Sequence, residues 1–228
     1  LAWVTENSGP DVLIKNILGI NVWYYEAKIL RKSVYKSLKA MQSKVSRLNN
    51  DAITDQLTAL YNRRGLIEKM KTLSTVDNVI LMIDIDHFKM INDKYGHDTG
   101  DRTLAVLAKR LLSLCRNSDI VSRFGGEEFV VVLTGSPPEI GARIAERIRK
   151  GIAEHHEEGI PPFTASVGVF SMSSKESNAD NAIKLADIAL YAAKDAGRNC
   201  VVINEDGTLR RYPQGGIVRQ SSTVRPYK

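Results

Sequence analysis

Two cysteines in 228 residues, Cys115 and Cys200, are too few for a disulfide framework and form no metal-ligand spacing. Reduced thiols in a cytosolic setting are the expectation. No uncharged apolar run reaches the roughly 18 residues of a membrane span. Compositional bias is missing as well: 43% hydrophobic and 25% charged residues exclude a disordered or fibrous chain. There is no initiator methionine either. The chain opens on Leu1, which leads us to expect a piece of something longer. Nor is its basic character general. The formal charge of +6 invites nucleic acid or an anionic membrane as partner. Yet residues 1–24 sum to −1, 25–50 to +6, 51–205 to −3 and 206–228 to +4. The surplus sits on two flanks, no recognition motif accompanies it, and nucleic acid drops out as a partner.

Residues 25–54 contain no Gly or Pro and read as one long helix. Val34, Leu38, Met41, Val45, Leu48 and Ala52 recur at alternating steps of four and three, the seam of a coiled coil. Packing of that helix on its own domain is the competing explanation. Trp23, Tyr24 and Tyr25, followed by Lys28, Arg31 and Lys32, resemble the end of a membrane helix. Asp11, Lys15, Asn16 and Asn21 argue against a span in residues 1–24, so any membrane anchor of the full-length protein would lie upstream.

From residue 55 the pattern alternates. Helices are expected at about 64–74, 86–94, 99–115, 137–157 and 179–196. Strands are expected at 79–83, 120–124, 128–133, 164–171 and 200–203. Gly125-Gly126 between two apolar runs signals a hairpin whose turn positions take positive φ. The result is an α/β domain over 55–205 with a mixed or mostly antiparallel sheet. The Gly-, Ser- and Arg-rich tail 206–228 is expected to be largely disordered.

Acidic residues cluster at two strand ends, as Asp84-Ile85-Asp86 and Glu127-Glu128. If the two strands are neighbours, Asp84 and Glu127 converge. Clustered carboxylates repel unless a cation neutralises them, and an all-oxygen set favours Mg²⁺ or Mn²⁺. Solvated strand caps are the plainer alternative.

The exact strings narrow this. Residues 55–64 read DQLTALYNRR, 84–101 DIDHFKMINDKYGHDTGD, 125–129 GGEEF and 191–199 YAAKDAGRN. Together, over about 53–204, they resemble the GGDEF family, the diguanylate cyclases. The resemblance implies a palm-like domain with a βαββαβ core, preceded here by a coiled-coil signalling helix. It implies condensation of two GTP molecules into cyclic di-GMP, with two pyrophosphates released, between two copies of the domain in a homodimer. It also implies residue roles. Asp84, the Ile85 carbonyl, Glu127 and Glu128 would hold metal, with two ions per site, and Glu127 would accept the 3′-hydroxyl proton. Phe88 and Lys89, at a helix start, would meet the β- and γ-phosphates, Lys89 also stabilising the transition state. Asn92 and Asp101 would read the guanine edge with His97 nearby, and Lys194 and Arg198 would clamp phosphates. Arg116 and Asp119, an RxxD pair nine and six residues before Gly125, match the family's inhibitory site for product. Two alternatives stand beside this reading. A non-catalytic receptor for GTP or cyclic di-GMP would be expected to lack these acids and bases, and a basic coiled-coil nucleic-acid binder would need a recognition motif.

Overall fold

The structure, a computed structural model, describes residues 25–73, 77–172 and 178–213. The side chains of 25, 26 and 45–51 are not among those described, so Val45 and Leu48 of the expected seam, like residues 1–24 and 214–228, lie outside. Contacts divide the chain into residues 1–52 and 53–228.

The first unit contributes helix α1, Tyr25–Ile53, a run of 29 residues. Four of its described apolar side chains are exposed, while Leu38 is half-buried. Ile29 is 54% exposed, Leu30 65%, Val34 37% and Met41 66%. Exposed apolar side chains along one helix are the condition of a seam that packs against a partner helix.

The second unit is a six-stranded sheet in the order β2-β3-β1-β4-β5-β6. The strands are β1 (Asn78–Ile85), β2 (Ile120–Arg123), β3 (Glu128–Thr134), β4 (Ala165–Met172), β5 (Val201–Glu205) and β6 (Thr208–Tyr212). All neighbours run antiparallel except β4 and β5. The helices are α2 (Arg63–Met70), α3 (Phe88–Tyr95), α4 (His97–Leu114), α5 (Pro138–Ala153) and α6 (Ala179–Asp195). Every residue of β1 is buried, so its two faces must be covered by different layers. Val79, Leu81, Ile83 and Ile85 pack with Leu104, Leu107 and Leu111 of α4 and Ile148 and Ile152 of α5. Ile80 and Met82 face the other way, toward Leu66 of α2 and Ala186 and Leu190 of α6. The period of two in a strand therefore also assigns Asp84 to the α2/α6 face.

The chain entering this unit closes one edge of the sheet. Tyr61 bridges Ser122 of edge strand β2, and the Tyr61 carbonyl accepts the Arg123 N–H at 2.8 Å. Asn62 then caps α2, its side chain accepting the Gly65 N–H.

Three expectations need correction. The segment 206–228 is not wholly irregular, since β6 pairs with β5 through Asp206 (φ 47°) and Gly207 (φ 90°). Two successive positive-φ residues give the turn whose twist matches a hairpin. Gly125 and Gly126 carry no positive φ, and their use is described below. Helix α5 stops at Ala153 rather than near 157, because no apolar residue follows until Ile160 to hold another turn on the sheet.

Candidate active site

Register brings the two acidic clusters together. Asp84 lies opposite Glu128 across β1 and β3, and opposite Ser166 across β1 and β4. Directly opposed residues share a face, here the one that α6 crosses. The helix sits close because β4 carries Gly168 there: a Cβ at that position would lie 2.1 Å from the Ala186 carbonyl oxygen and 2.2 Å from the Leu190 nitrogen. This close approach lowers the C-terminal half of α6 toward the carboxylates. Lys194 Nζ stands 2.7 Å from Asp84 Oδ2.

The electrostatics follow from that burial. Asp84 is 4% exposed, and loss of water, with Glu128 and Asp86 adding to it, lifts its carboxyl from 3.8 to about 6 against the pull of Lys194. Burial likewise raises Glu127, with Asp84 reinforcing, and Glu128, with Asp187 reinforcing. Asp187 is raised by burial too, and Lys194 opposes all four shifts. The site is thus short of positive charge. Among the described residues the acids do not close into a set of three at metal-binding distance. Their chemistry nevertheless fits a hard divalent cation: the donors are all oxygen, desolvated, and drawn to the one ammonium beside them.

The turn between β2 and β3 is shaped from outside. Arg123 Nε and Nη2 donate to the Gly126 carbonyl at 3.0 and 2.8 Å, and its Nη1 reaches Asp55 at 3.2 Å. Asp55 also accepts from the backbone and hydroxyl of Thr58, and these bonds outweigh its burial to lower its carboxyl. The DQLT string thereby braces the GGEEF turn. At Gly125 an added Cβ would lie 2.9 Å from Glu128 Oε2, so a side chain there would displace that carboxylate.

The strings, their order and the sheet that joins them are matched in known proteins. Residues 52–200 match the family model described as "Diguanylate cyclase, GGDEF domain". The chain belongs to the GGDEF diguanylate cyclase family. It is 42% identical over 161 residues to the diguanylate cyclase DgcM of Escherichia coli K12, a match covering 68% of this chain and 39% of that protein. The chain thus spans about two fifths of that curated relative. Among solved structures it resembles the coiled coil and GGDEF domain of DgcB from Caulobacter crescentus in complex with c-di-GMP. That likeness has a TM-score of 0.69 and 25% identity and covers 78% of this chain and 98% of the other. The active GGEEF domain of a Vibrio cholerae diguanylate cyclase aligns with a TM-score of 0.59 and 34% identity, over 64% of this chain and 97% of that one.

The remaining residues singled out from the GGDEF strings fall into separate groups. Phe88 is buried and Lys89 exposed at the start of α3, behind His87 at φ 58°. Asn92, on α3, lies against Gly100 of α4, where an added Cβ would meet its Oδ1 at 1.9 Å. His97 and Asp101 are exposed on the first turns of α4. Arg198 is exposed in the loop after α6. Arg116 and Asp119 form a tight turn beyond α4. Asp119 Oδ2 accepts the Arg116 N–H at 2.9 Å and Oδ1 the Thr134 N–H at 3.3 Å, so this carboxylate shapes its own loop while Arg116 is exposed.

Sequence reasoning missed the roles of four residues. Asp187 shares Lys194 with the other acids. Asp86, grouped with Asp84 on the page of the sequence, is engaged elsewhere: it accepts from Thr164 Oγ1 and Ser166 Oγ, both at 2.6 Å, and from the Asn199 N–H at 3.0 Å. Asp55 and Arg123 meet only through the fold. Lys194, read from its string as a phosphate ligand, touches Asp84 directly.

Proposed function

We propose that this chain joins two GTP molecules into cyclic di-GMP, each 3′-oxygen attacking the other's α-phosphorus while pyrophosphate leaves. The observation that carries this reading is the convergence of Asp84, Glu127, Glu128 and Lys194 at one end of the β1–β3 pair. Asp84, the Ile85 carbonyl, Glu127 and Glu128 would hold Mg²⁺ or Mn²⁺, two ions per site, and such ions supply charge neutralisation on the phosphates.

The chain's own residues do the rest. Glu127, whose carboxyl is raised by burial and by Asp84, accepts the 3′-hydroxyl proton, for which a pKa nearer the working pH is an advantage. Lys89, Lys194 and Arg198 hold the phosphates, with Phe88 seating the turn that presents them. Lys194 must turn from Asp84 to do so. Asn92 and Asp101 read the guanine edge beside His97, an arrangement that an adenine lacks the donors to satisfy. One copy provides half of the reaction, so two domains face each other, and the exposed apolar stripe of α1 is the surface that pairs them. Cyclic di-GMP binds at Arg116 and Asp119. A carboxylate has about four lone-pair sites, so Asp119 keeps capacity after its two backbone bonds.

Incubation with GTP and Mg²⁺ followed by chromatography tests the reading. Wild type yields cyclic di-GMP, and Glu127→Gln yields none while keeping its melting temperature and its affinity for a non-hydrolysable GTP analogue. No product from the wild-type dimer would overturn it.

A further inference from the structure

The loop 197–199 holds Arg198 in a backbone conformation that this residue disfavours. Gly197, Arg198 and Asn199 take φ of 102°, 62° and 44° in succession. Left-handed backbone is costly for residues with a Cβ and persists only where the surroundings over-determine it. Arg198 is itself exposed, so this backbone sets the point and direction from which its side chain leaves the chain.

The surroundings that fix the loop come from four elements. The Asn199 N–H donates to Asp86 Oδ2 at 3.0 Å, and Asp86 is locked in turn by the hydroxyls of Thr164 and Ser166. The Asn199 side-chain oxygen accepts from Arg149 Nη1 on α5. Arg149 is gripped by Glu146 through both a 2.8 Å Nε–Oε2 and a 2.8 Å Nη2–Oε1 bond, and the two side chains are only 15% and 14% exposed. From the far side, Arg211 of β6 donates to the Ala196 carbonyl at 3.3 Å. A surface ion pair three residues apart on a helix has no need of burial or of a third partner. Here the fork occupies Nε and Nη2 and leaves Nη1, which donates to the loop.

Resting on the reading that Arg198 clamps a GTP phosphate, we propose that Asp86, Glu146 and Arg149 are positioning residues: they lock the loop 197–199 in its left-handed conformation and so aim Arg198 at the nucleotide. None of the three touches the nucleotide. Their effect passes through Arg198, and that dependence separates positioning from general stabilisation.

The test is a double-mutant cycle on affinity for a non-hydrolysable GTP analogue with Mg²⁺, read together with melting temperature. Arg149→Met removes the fork and keeps the aliphatic stem. It should weaken analogue binding about tenfold, the scale of one charge-assisted hydrogen bond, and leave the affinity of an Arg198→Ala protein unchanged. Glu146→Gln, which loosens the fork without emptying its space, should show the same dependence on Arg198 and serves if Arg149→Met does not fold. Equal losses with and without Arg198, or no loss at all, would overturn the proposal while the substrate reading stands. Wild-type protein that fails to bind the analogue would overturn both.

Discussion

Replacing Gly168 by alanine tests whether the height of α6 above the sheet sets the active site. The new Cβ would lie 2.1 Å from the Ala186 oxygen and 2.2 Å from the Leu190 nitrogen, both backbone atoms. No rotamer relieves such a clash. To restore ordinary contact the helix must recede by about 1 Å, and overpacking of that kind costs roughly 1–3 kcal/mol. For a unit of this size the melting temperature should fall by roughly 3–10 °C. Recession also carries Lys194 and Asp187 away from Asp84 and Glu128, and a misplacement of about 1 Å can cost on the order of 100-fold in rate. The assay is thermal melting beside initial rates of cyclic di-GMP formation. Gly126→Ala is the stability control, because its Cβ would meet nothing within 4 Å and its melting temperature should match wild type. Gly168→Ala with wild-type melting and wild-type rate would refute the reasoning.

Other consequences are as direct. Gly100→Ala pushes a Cβ onto Asn92 Oδ1; the KM for GTP should rise about tenfold, as for a lost hydrogen bond to the base, and preference over ATP should shrink in competition assays. Asp84 titrates near 6 when folded against an ordinary 3.8. Its stabilising contribution in metal-free protein is therefore full below 3.8 and lost as pH rises through 6. The rise in melting temperature on adding Mg²⁺ should accordingly be larger at about pH 7.5 than at about pH 5; an increment independent of pH would contradict this. Arg116→Ala should relieve inhibition by added cyclic di-GMP in steady-state kinetics without abolishing turnover. Removing residues 1–50 should make specific activity fall on dilution, as measured across protein concentrations with sedimentation alongside.

Much of the site was legible because its residues come in short strings whose order the sheet preserves. The apolar run before Asp84 announced a buried strand, and the GGEEF turn announced its neighbour. What stayed hidden depended on separations no string records. Asp86 meets Asn199 across 113 positions and Arg123 meets Asp55 across 68. Asp187 lies two helical turns before Lys194 in a stretch that reads as ordinary amphipathic helix. The Gly-Gly pair was read as a positive-φ turn, whereas neither residue takes positive φ and only Gly125 lies close to a neighbour, the Glu128 carboxylate. Strand β6 was lost for the opposite reason: Asp206-Gly207 is a strong local hairpin signal, outweighed in the reading by the Gly, Ser and Arg that follow it.

The cover that Tyr61 places over β2 has a consequence for where this protein can be cut or pulled. A bare edge strand offers unpaired N–H and C=O groups as a template for another chain, and natural sheets avoid leaving one long and apolar. Residues 53–62 are thus a guard against aggregation as well as a junction. Truncation ahead of Ile53 should keep the domain soluble, whereas truncation past Tyr61 should drive it into insoluble material. Peeling Tyr61 from Ser122 would lay that edge open to pairing with another chain.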